Sequence, residues 1–408
     1  MDDVLIVGAG PAGAVAAIVL ARAGARVRLI DRADFPRDKL CGDTVNPGTL
    51  ARLRSLGVGD AIDARGLRVD GMLVTGERGA AIRGAYPRGL FGRSILRRDL
   101  DWLLLQEAIR AGCQFDPSVA VREAIVDTSA HVPAVAGVRL GHKGSTREVR
   151  ARITIAADGR RSTIAFGLGL ARHPDAPRRW AIGAYFDGVR PGSDRGQTAV
   201  RPRSDSGQTA QTASRAAGVF GEMHVRRGRY IGVAPVPGGA TNVCLVRPSY
   251  PGDGSLRDPA ALLTQELSRD PMLRDRFAGA CLIAPPVVLG PLAVDVYPAV
   301  INGLLLAGDA AGFIDPMTGD GLRFAVRGGE LVAGAALDAL TQGWTGTHAR
   351  LAARRLTEFG GKWRFNRALR ALVASPRSVE TAAIGARLAP FVLRGIISRA
   401  GDCDAVPA

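Results

Sequence analysis

The stretch Val4 to Asp31, VLIVGAGPAGAVAAIVLARAGARVRLID, decides how the rest of the chain is read. Val4 to Val7 is a short apolar run of the buried-strand type. Gly8, Gly10 and Gly13 follow in G-x-G-x-x-G spacing. An Ala-rich run from Ala12 to Ala23 reads as a helix that Gly24 ends, and Val27 to Ile30 reads as a second strand closing on Asp31. Strand, glycine turn, helix and strand with an acidic terminus make a dinucleotide-binding βαβ fingerprint. The first glycine permits the tight turn, the second lets the backbone approach a pyrophosphate, and the third lets helix pack on strand. The helix N-terminus, with Ala12 in its first turn, offers free N–H groups and a positive dipole end to phosphate. Asp31 is placed to accept a ribose 2′-OH, with Arg32 beside it. Taken alone, the fingerprint leaves NAD and FAD both open.

Around this stretch, 408 residues are long for one core, so two or three domains are expected. An apolar fraction of 47% and 52 glycines suit an α/β enzyme, not a disordered or fibrous chain. Asp2 and Asp3 stand where a secretory leader would be basic, and no run of about 18 apolar residues occurs, so a cytoplasmic protein without a spanning helix is expected. The net charge of +16 does not point to nucleic acid: aromatics are only 5%, too few for a base-stacking platform. The charge is uneven. Thr341 to Ala400 holds eleven basic residues against Glu358 and Glu380, so +9 of the +16 lies in this tail. That makes it a candidate surface for anionic lipid, against the alternative of a solvated helical face. The cysteines Cys41, Cys113, Cys244, Cys281 and Cys403 form neither CxxC nor metal-ligand spacing, so no metal site is expected.

Further along, Arg32 to Thr44 reads as an ordered loop, and Asn46 to Leu56 and Arg97 to Ala111 as helices. Gln114 to Glu123, Ala134 to Leu140 and Val149 to Ile155 read as a β-meander. Ala181 to Val189, Gly218 to Val225, Tyr230 to Val236 and Thr241 to Val246 read as an antiparallel sheet, with a loop across Ser193 to Ala217. Gly321 to Leu340 reads as a long buried helix. In the tail, Ala352, Leu356, Phe359 and Trp363 form one apolar stripe, and Ile384, Leu388 and Phe391 another, both of the kind that packs inward.

Two later stretches bear on the cofactor. Ile155 to Ser162 reads IAADGRRS, and Leu306 to Gly321 reads LAGDAAGFIDPMTGDG. In the second, a strand delivers Asp309 at its carboxyl end, where ligands of parallel sheets bind, and a carboxylate there suits sugar-chain hydroxyls. The helix beginning near Gly321 presents N–H donors and a positive dipole end that would stabilise the anionic charge of a reduced flavin.

With these motifs in this order, the chain resembles the FAD-dependent oxidoreductase superfamily of the aromatic hydroxylases and geranylgeranyl reductases, to about Leu340. Lys39-Leu40-Cys41-Gly42 and Gly308 to Ala325 are closest to the geranylgeranyl-reductase branch. The resemblance implies that Asp31 binds the adenosine ribose, that Arg97, in R-x-x-L-D-x-x-L, lies near FAD, and that Gly308-Asp309 meets the ribityl chain. It further implies that Gly319 to Leu322, with Gly321, approach the flavin ring, that Asp158 holds the architecture, and that Cys41 is a candidate catalytic residue in the substrate cavity. The branch signature Y-x-W-x-F-P is matched by Tyr230 to Pro235, where Gly232 and Ala234 replace the inner aromatics. The W-x-W-x-I-P stretch of the tryptophan halogenases is absent.

The fold expected is α/β: a Rossmann-like FAD-binding domain of glutathione-reductase type, an inserted antiparallel β-sheet substrate domain and C-terminal helices. The FAD-binding domain is assigned to 1–75, 95–170 and 290–340, the substrate or lid domain to 76–94 and 171–289, and the helical region to 341–408. The function expected is reduction of C=C bonds in an isoprenoid or other lipid-like substrate. The alternatives are hydroxylation of an aromatic or polyketide-type ring by a flavin monooxygenase, and a non-enzymatic FAD-binding membrane-associated module. No second dinucleotide fingerprint is present, so electrons would come from NAD(P)H visiting the flavin or from a reduced carrier protein.

Overall fold

The computed structural model describes residues 2–406 except 78–79, 130–131, 143–144, 176–177, 193–197, 200–217, 251–252, 298–299, 315–316, 318 and 375–389. The apolar run at the N-terminus forms the strand Asp2–Val7, which lies between Val27–Ile30 and Ser145–Ala156 and pairs parallel to both. Gln114–Asp116 extends the sheet beyond Val27–Ile30, and Leu304–Leu306 adds to Ser145–Ala156, each again in parallel. Ala134–His142 and Val121–Asp127 complete seven strands as an antiparallel meander. The single strand expected over Gln114 to Glu123 is two, divided where Ser118 takes a positive φ of 56°.

Helix Pro11–Arg22 starts with proline in its first turn and is buried from Pro11 through Ile18. Burial on all sides follows from its position between the sheet and helix Gly321–Gln342, whose Val326, Val332 and Ala336 join the same core. The carboxyl ends of Asp2–Val7, Ser145–Ala156 and Leu304–Leu306 point the same way, and the chain turns at each of them are therefore neighbours in space.

The second sheet has nine strands. Phe220–Arg226, Arg229–Pro235, Thr241–Pro248 and Arg179–Asp187 run antiparallel, as the alternation in their sequences requires. At one edge the sheet takes in the hairpin Gly71–Thr75 and Ala81–Ala85, and there Phe220–Arg226 pairs with Gly71–Thr75 in parallel. Residues 71–75, assigned above to the first domain, thus belong to the second sheet. The parallel pairing is sterically open because a long excursion separates the two strands in the chain. One face carries the apolar cluster of Ile182, Ile231, Val243 and Leu263 from helix Pro259–Arg269. Of the loop expected over 193–217, Thr198–Ala199 pairs with the edge strand and the remainder lies outside the described residues.

The tail departs from expectation. In helix Thr347–Ala374, Phe359 is buried and Trp363 half-buried, but Ala352 is exposed and Leu356 is 63% exposed. The inward face turns instead through Leu351, Arg355, Phe359 and Lys362. Arg355 donates to the Leu306 carbonyl, and Lys362 is 1% exposed, with its ammonium donating to the carbonyls of Arg399 and Ala400. Long basic stems can be buried when the head meets oxygen partners, so two of the eleven tail cations serve the interior. Ile384 and Leu388 lie outside the described residues; Phe391 is 70% exposed. Among the described residues no helix is long and apolar enough to cross a membrane, and no group of three potential metal ligands occurs.

Candidate functional site

A cavity of about 560 Å³ lies at the carboxyl ends of the parallel strands and continues under the second sheet. That is within the range of small-molecule and cofactor sites. Gly8, Gly10, Ala12, Asp31 and Arg32 line one part of it. Arg97, Asp158, Gly308, Asp309, Gly319, Gly321 and Leu322 line the middle, and Cys41 stands where the cavity passes onto the sheet. Residues distant in sequence are brought together, and only Gly13 among those singled out is not on the wall. Gly13 works behind it: a Cβ there would fall 1.9 Å from the Gly8 carbonyl oxygen, so the helix could not seat on the strand. Gly8 has φ of 100°, and its Cβ would meet the Ala157 carbonyl oxygen at 2.4 Å. Both glycines therefore keep the backbone of the turn open to a ligand.

Asp31 is buried, and its carboxylate accepts from Ala9 N at 2.7 Å and Ala33 N at 2.9 Å. It shapes the glycine turn as well as the cavity wall. Asp158 accepts from Thr163 N at 2.7 Å and so fixes the turn that follows its strand. Asp309 faces the cavity from the end of Leu304–Leu306; burial pushes its carboxyl up, and the nearby charges of Lys39, Arg97 and Arg160 oppose that.

Two helices, Pro11–Arg22 and Gly321–Gln342, begin at this cavity, and at neither does the N-cap residue, Gly10 or Asp320, make a side-chain cap bond. Uncapped helix ends are donors awaiting acceptors. One would receive phosphate and the other the ring end of a dinucleotide, with Asp31 and Asp309 as acceptors for sugar hydroxyls between them. This donor and acceptor set fits FAD.

The polar centre of the cavity is built on Arg97. Its guanidinium makes a two-pronged pair with Asp101, 2.8 Å for each contact, and Asp101 is fully buried. The Cys41 thiol lies beside the same guanidinium; burial pushes that thiol up, and Arg97 pulls against it. Cys41 is accordingly a protonated thiol at neutral pH and not an activated nucleophile. Asp43, two residues on, is fully buried with φ of 51°. It accepts from Tyr185 Oη at 2.6 Å, Asn242 Nδ2 at 2.5 Å and Arg97 N at 3.2 Å. Burial nevertheless raises it to about 6. Asn242 also donates to the Cys41 carbonyl at 2.8 Å. Asp43, Tyr185 and Asn242 were not singled out by motif. The one available signal was that Asp43 directly follows Cys41-Gly42.

Comparison with known proteins agrees with this geometry. The family model described as FAD binding domain matches residues 1–190. Menaquinone reductase of Mycobacterium tuberculosis (strain ATCC 25618 / H37Rv) is 30% identical over 341 residues, which span 81% of this chain and 75% of that protein. Digeranylgeranylglycerophospholipid reductase of Methanosarcina mazei is 30% identical over 349 residues, spanning 84% of this chain and 76% of that protein. Among solved structures, the flavin-dependent brominase Bmp2 superimposes with a TM-score of 0.81 at 19% identity, covering 98% of this chain and 94% of its own. Halogenase PltM, in complex with phloroglucinol and FAD, gives 0.68 at 19% identity over 83% and 70% of the two chains. At such identities the halogenases share the fold.

Proposed function

The chain belongs to the flavoprotein superfamily of the geranylgeranyl reductases and aromatic hydroxylases and is an FAD-dependent oxidoreductase, and from that premise we propose that it reduces C=C bonds of an isoprenoid or other lipid-like substrate. The observation that carries the reading is the apolar extension of the cavity past Cys41. Its walls there include Met72, Met223, Tyr230, Val246, Leu289 and Leu292, with Glu222 also on the wall and its charge paired to Arg276. Such a surface takes a hydrocarbon chain more readily than a small polar ring. Both curated relatives carry names of reductases whose substrates have isoprenoid tails.

When bound in its reduced state, FAD would supply the hydride. The second carbon then needs a proton. The Cys41 thiol holds one at the cavity wall, and the thiolate left behind would be stabilised by the Arg97 guanidinium and the Asp43 N–H beside it. Arg97 keeps its orientation through Asp101. Reducing equivalents would come from NAD(P)H or a reduced carrier protein; with a single dinucleotide fingerprint in the chain, a nicotinamide donor would have to enter this same cavity. The proposal includes peripheral contact with anionic lipid through the C-terminal helices, where Arg364, Arg367 and Arg394 are exposed together with Leu356 and Phe391.

The test is anaerobic. FAD-loaded protein is reduced, and menaquinone or a geranylgeranyl lipid is added without oxygen. The expected result is return of oxidised-flavin absorbance and a product two hydrogens heavier, with both hydrogens on the isoprenoid chain; a product reduced only at the quinone ring would count against C=C reduction. Failure of every isoprenoid to reoxidise the flavin, together with a hydroxylated aromatic product on admitting oxygen, would establish the monooxygenase instead.

A further inference from the structure

Asp320 occupies the N-cap position of helix Gly321–Gln342, yet its side chain makes no cap hydrogen bond to that helix. It turns the other way. Lys362 Nζ, from helix Thr347–Ala374, lies 3.1 Å from Oδ1, and Asn366 Nδ2 donates to Oδ2 at 2.9 Å. Asp320 is 2% exposed and Lys362 1%. The same ammonium donates to the Arg399 and Ala400 carbonyls at the end of helix Pro390–Ala400. Gly319, Gly321, Leu322 and Ala400 are all on the cavity wall, so the ion pair stands directly behind it. The Asp320 charge is felt on the wall itself, where it helps to push the Tyr86 phenol upward, after burial and Cys403.

A buried ion pair is weak evidence for stability, since desolvation of both charges offsets their attraction. This pair has a second consequence. An aspartate at the N-cap ordinarily accepts from the first-turn N–H groups and cancels the positive end of the helix dipole. Here the carboxylate is drawn off those groups and its charge is balanced from behind. The helix end therefore stays uncapped toward the cavity.

We infer that Lys362 is a positioning residue for flavin reduction: by holding and neutralising Asp320 it keeps the N-terminus of helix Gly321–Gln342 electropositive toward the flavin ring, which favours the reduced, anionic cofactor over the oxidised one. The inference rests on the FAD site alone and is independent of the substrate.

The experiment is an anaerobic dye-equilibrated titration of FAD-loaded protein in the absence of substrate. Lys362→Met leaves an uncompensated anion behind the wall. The affinity of reduced relative to oxidised flavin should fall about tenfold, which is about 30 mV more negative for a two-electron couple. Asp320→Asn leaves an uncompensated cation and should shift the potential in the opposite direction. The double variant Lys362→Met/Asp320→Asn carries neither charge and should return to within about threefold of the wild-type ratio. Potentials equal to wild type in the single variants, with only thermal stability altered, would reduce Lys362 to packing and overturn the inference, as would shifts of the same sign. If Lys362→Met does not fold, Asp320→Asn decides alone: a potential that does not rise overturns it.

Discussion

Tyr185, on the second sheet, donates its hydroxyl to Asp43 Oδ2 at 2.6 Å, and this bond ties the roof of the cavity to the loop that carries Cys41. Asn242, opposite Tyr185 on the neighbouring strand, reaches the same oxygen and the Cys41 carbonyl. One carboxylate thus joins the loop, the start of helix Arg97–Arg110 and two strands of the sheet. The thiol is positioned against Arg97 by this junction and not by the loop alone.

The junction has a pH signature. Burial raises Asp43 from 3.8 to about 6 against the hydrogen bonds it accepts. Between those values the folded chain holds more protons at this site than the unfolded chain. Stability from Asp43 is therefore greatest below about pH 4 and falls as pH rises through 4 to 6, by about 3 kcal/mol at full ionisation. Asp43→Asn, which tolerates the positive φ, removes the titration. The difference in unfolding free energy, wild type minus variant, should decline from pH 4 to 6 and level off above about 7. A difference that is flat or climbs across that window would refute the account.

Asp309 is the second carboxylate with a defined outcome. It is exposed to the cavity among Lys39, Arg97 and Arg160 and is assigned to cofactor hydroxyls. A hydrogen bond to a charged group is worth about 1.5–3 kcal/mol. Asp309→Ala should bind FAD roughly 10- to 100-fold more weakly by fluorescence titration, with an unchanged circular dichroism spectrum. Full retention of flavin after gel filtration would remove Asp309 from the site.

Much of the candidate site was legible, in that residues singled out by motif meet at one cavity, because it is encoded locally. Gly8, Gly13 and Asp31 stand within one βαβ unit, and Asp158 and Asp309 each follow an apolar strand run whose end must face the same crevice. Asp43, Tyr185 and Asn242 were not legible in that way. Their meeting depends on the register that sets Tyr185 against Asn242, and on the angle at which the sheet covers the loop. No spacing in the chain records either. Lys362 was misread for a different reason. Charge marks exposure only when no oxygen partners wait inside, and the partners at Asp320, Arg399 and Ala400 come from elements far apart in sequence. The hairpin Gly71–Ala85 was divided wrongly because its parallel partner lies beyond residue 217.

The proposed substrate end of the cavity is open to test at Gly232. Tyr230, Gly232 and Ala234 alternate onto the cavity face of their strand, and a Cβ on Gly232 would meet nothing nearer than the Cys244 carbonyl at 3.9 Å. The backbone accepts a side chain there, and the space lost is the substrate's. Gly232→Leu fills that space with a branched side chain that the reductase signature does not carry there. It should raise KM for a long isoprenoid at least about tenfold while KM for a short prenyl analogue changes less, since a fully displaced side-chain-sized contact is worth about 1.5–3 kcal/mol. Equal effects on both lengths would place the hydrocarbon elsewhere.

The tail makes the last claim, and it is one of electrostatics. With Arg355 and Lys362 committed to the interior, the proposed attraction to lipid would fall to cations that remain outside, among them Arg364, Arg367 and Arg394, with Phe391 exposed on the last helix. Each arginine near an anionic surface contributes about 1 kcal/mol, and the attraction fades within a Debye length. Replacing these three by glutamine should weaken binding to vesicles rich in anionic lipid by roughly 100-fold. Raising the salt should do the same to the wild type, and vesicles of neutral lipid should bind both proteins equally poorly. Phe391→Ala should add a smaller loss that salt does not alter, because its contribution is apolar. Sedimentation with vesicles separates the cases: binding indifferent to charge and salt would mean that the basic tail is a solvated face and that substrate reaches the cavity without a membrane contact here.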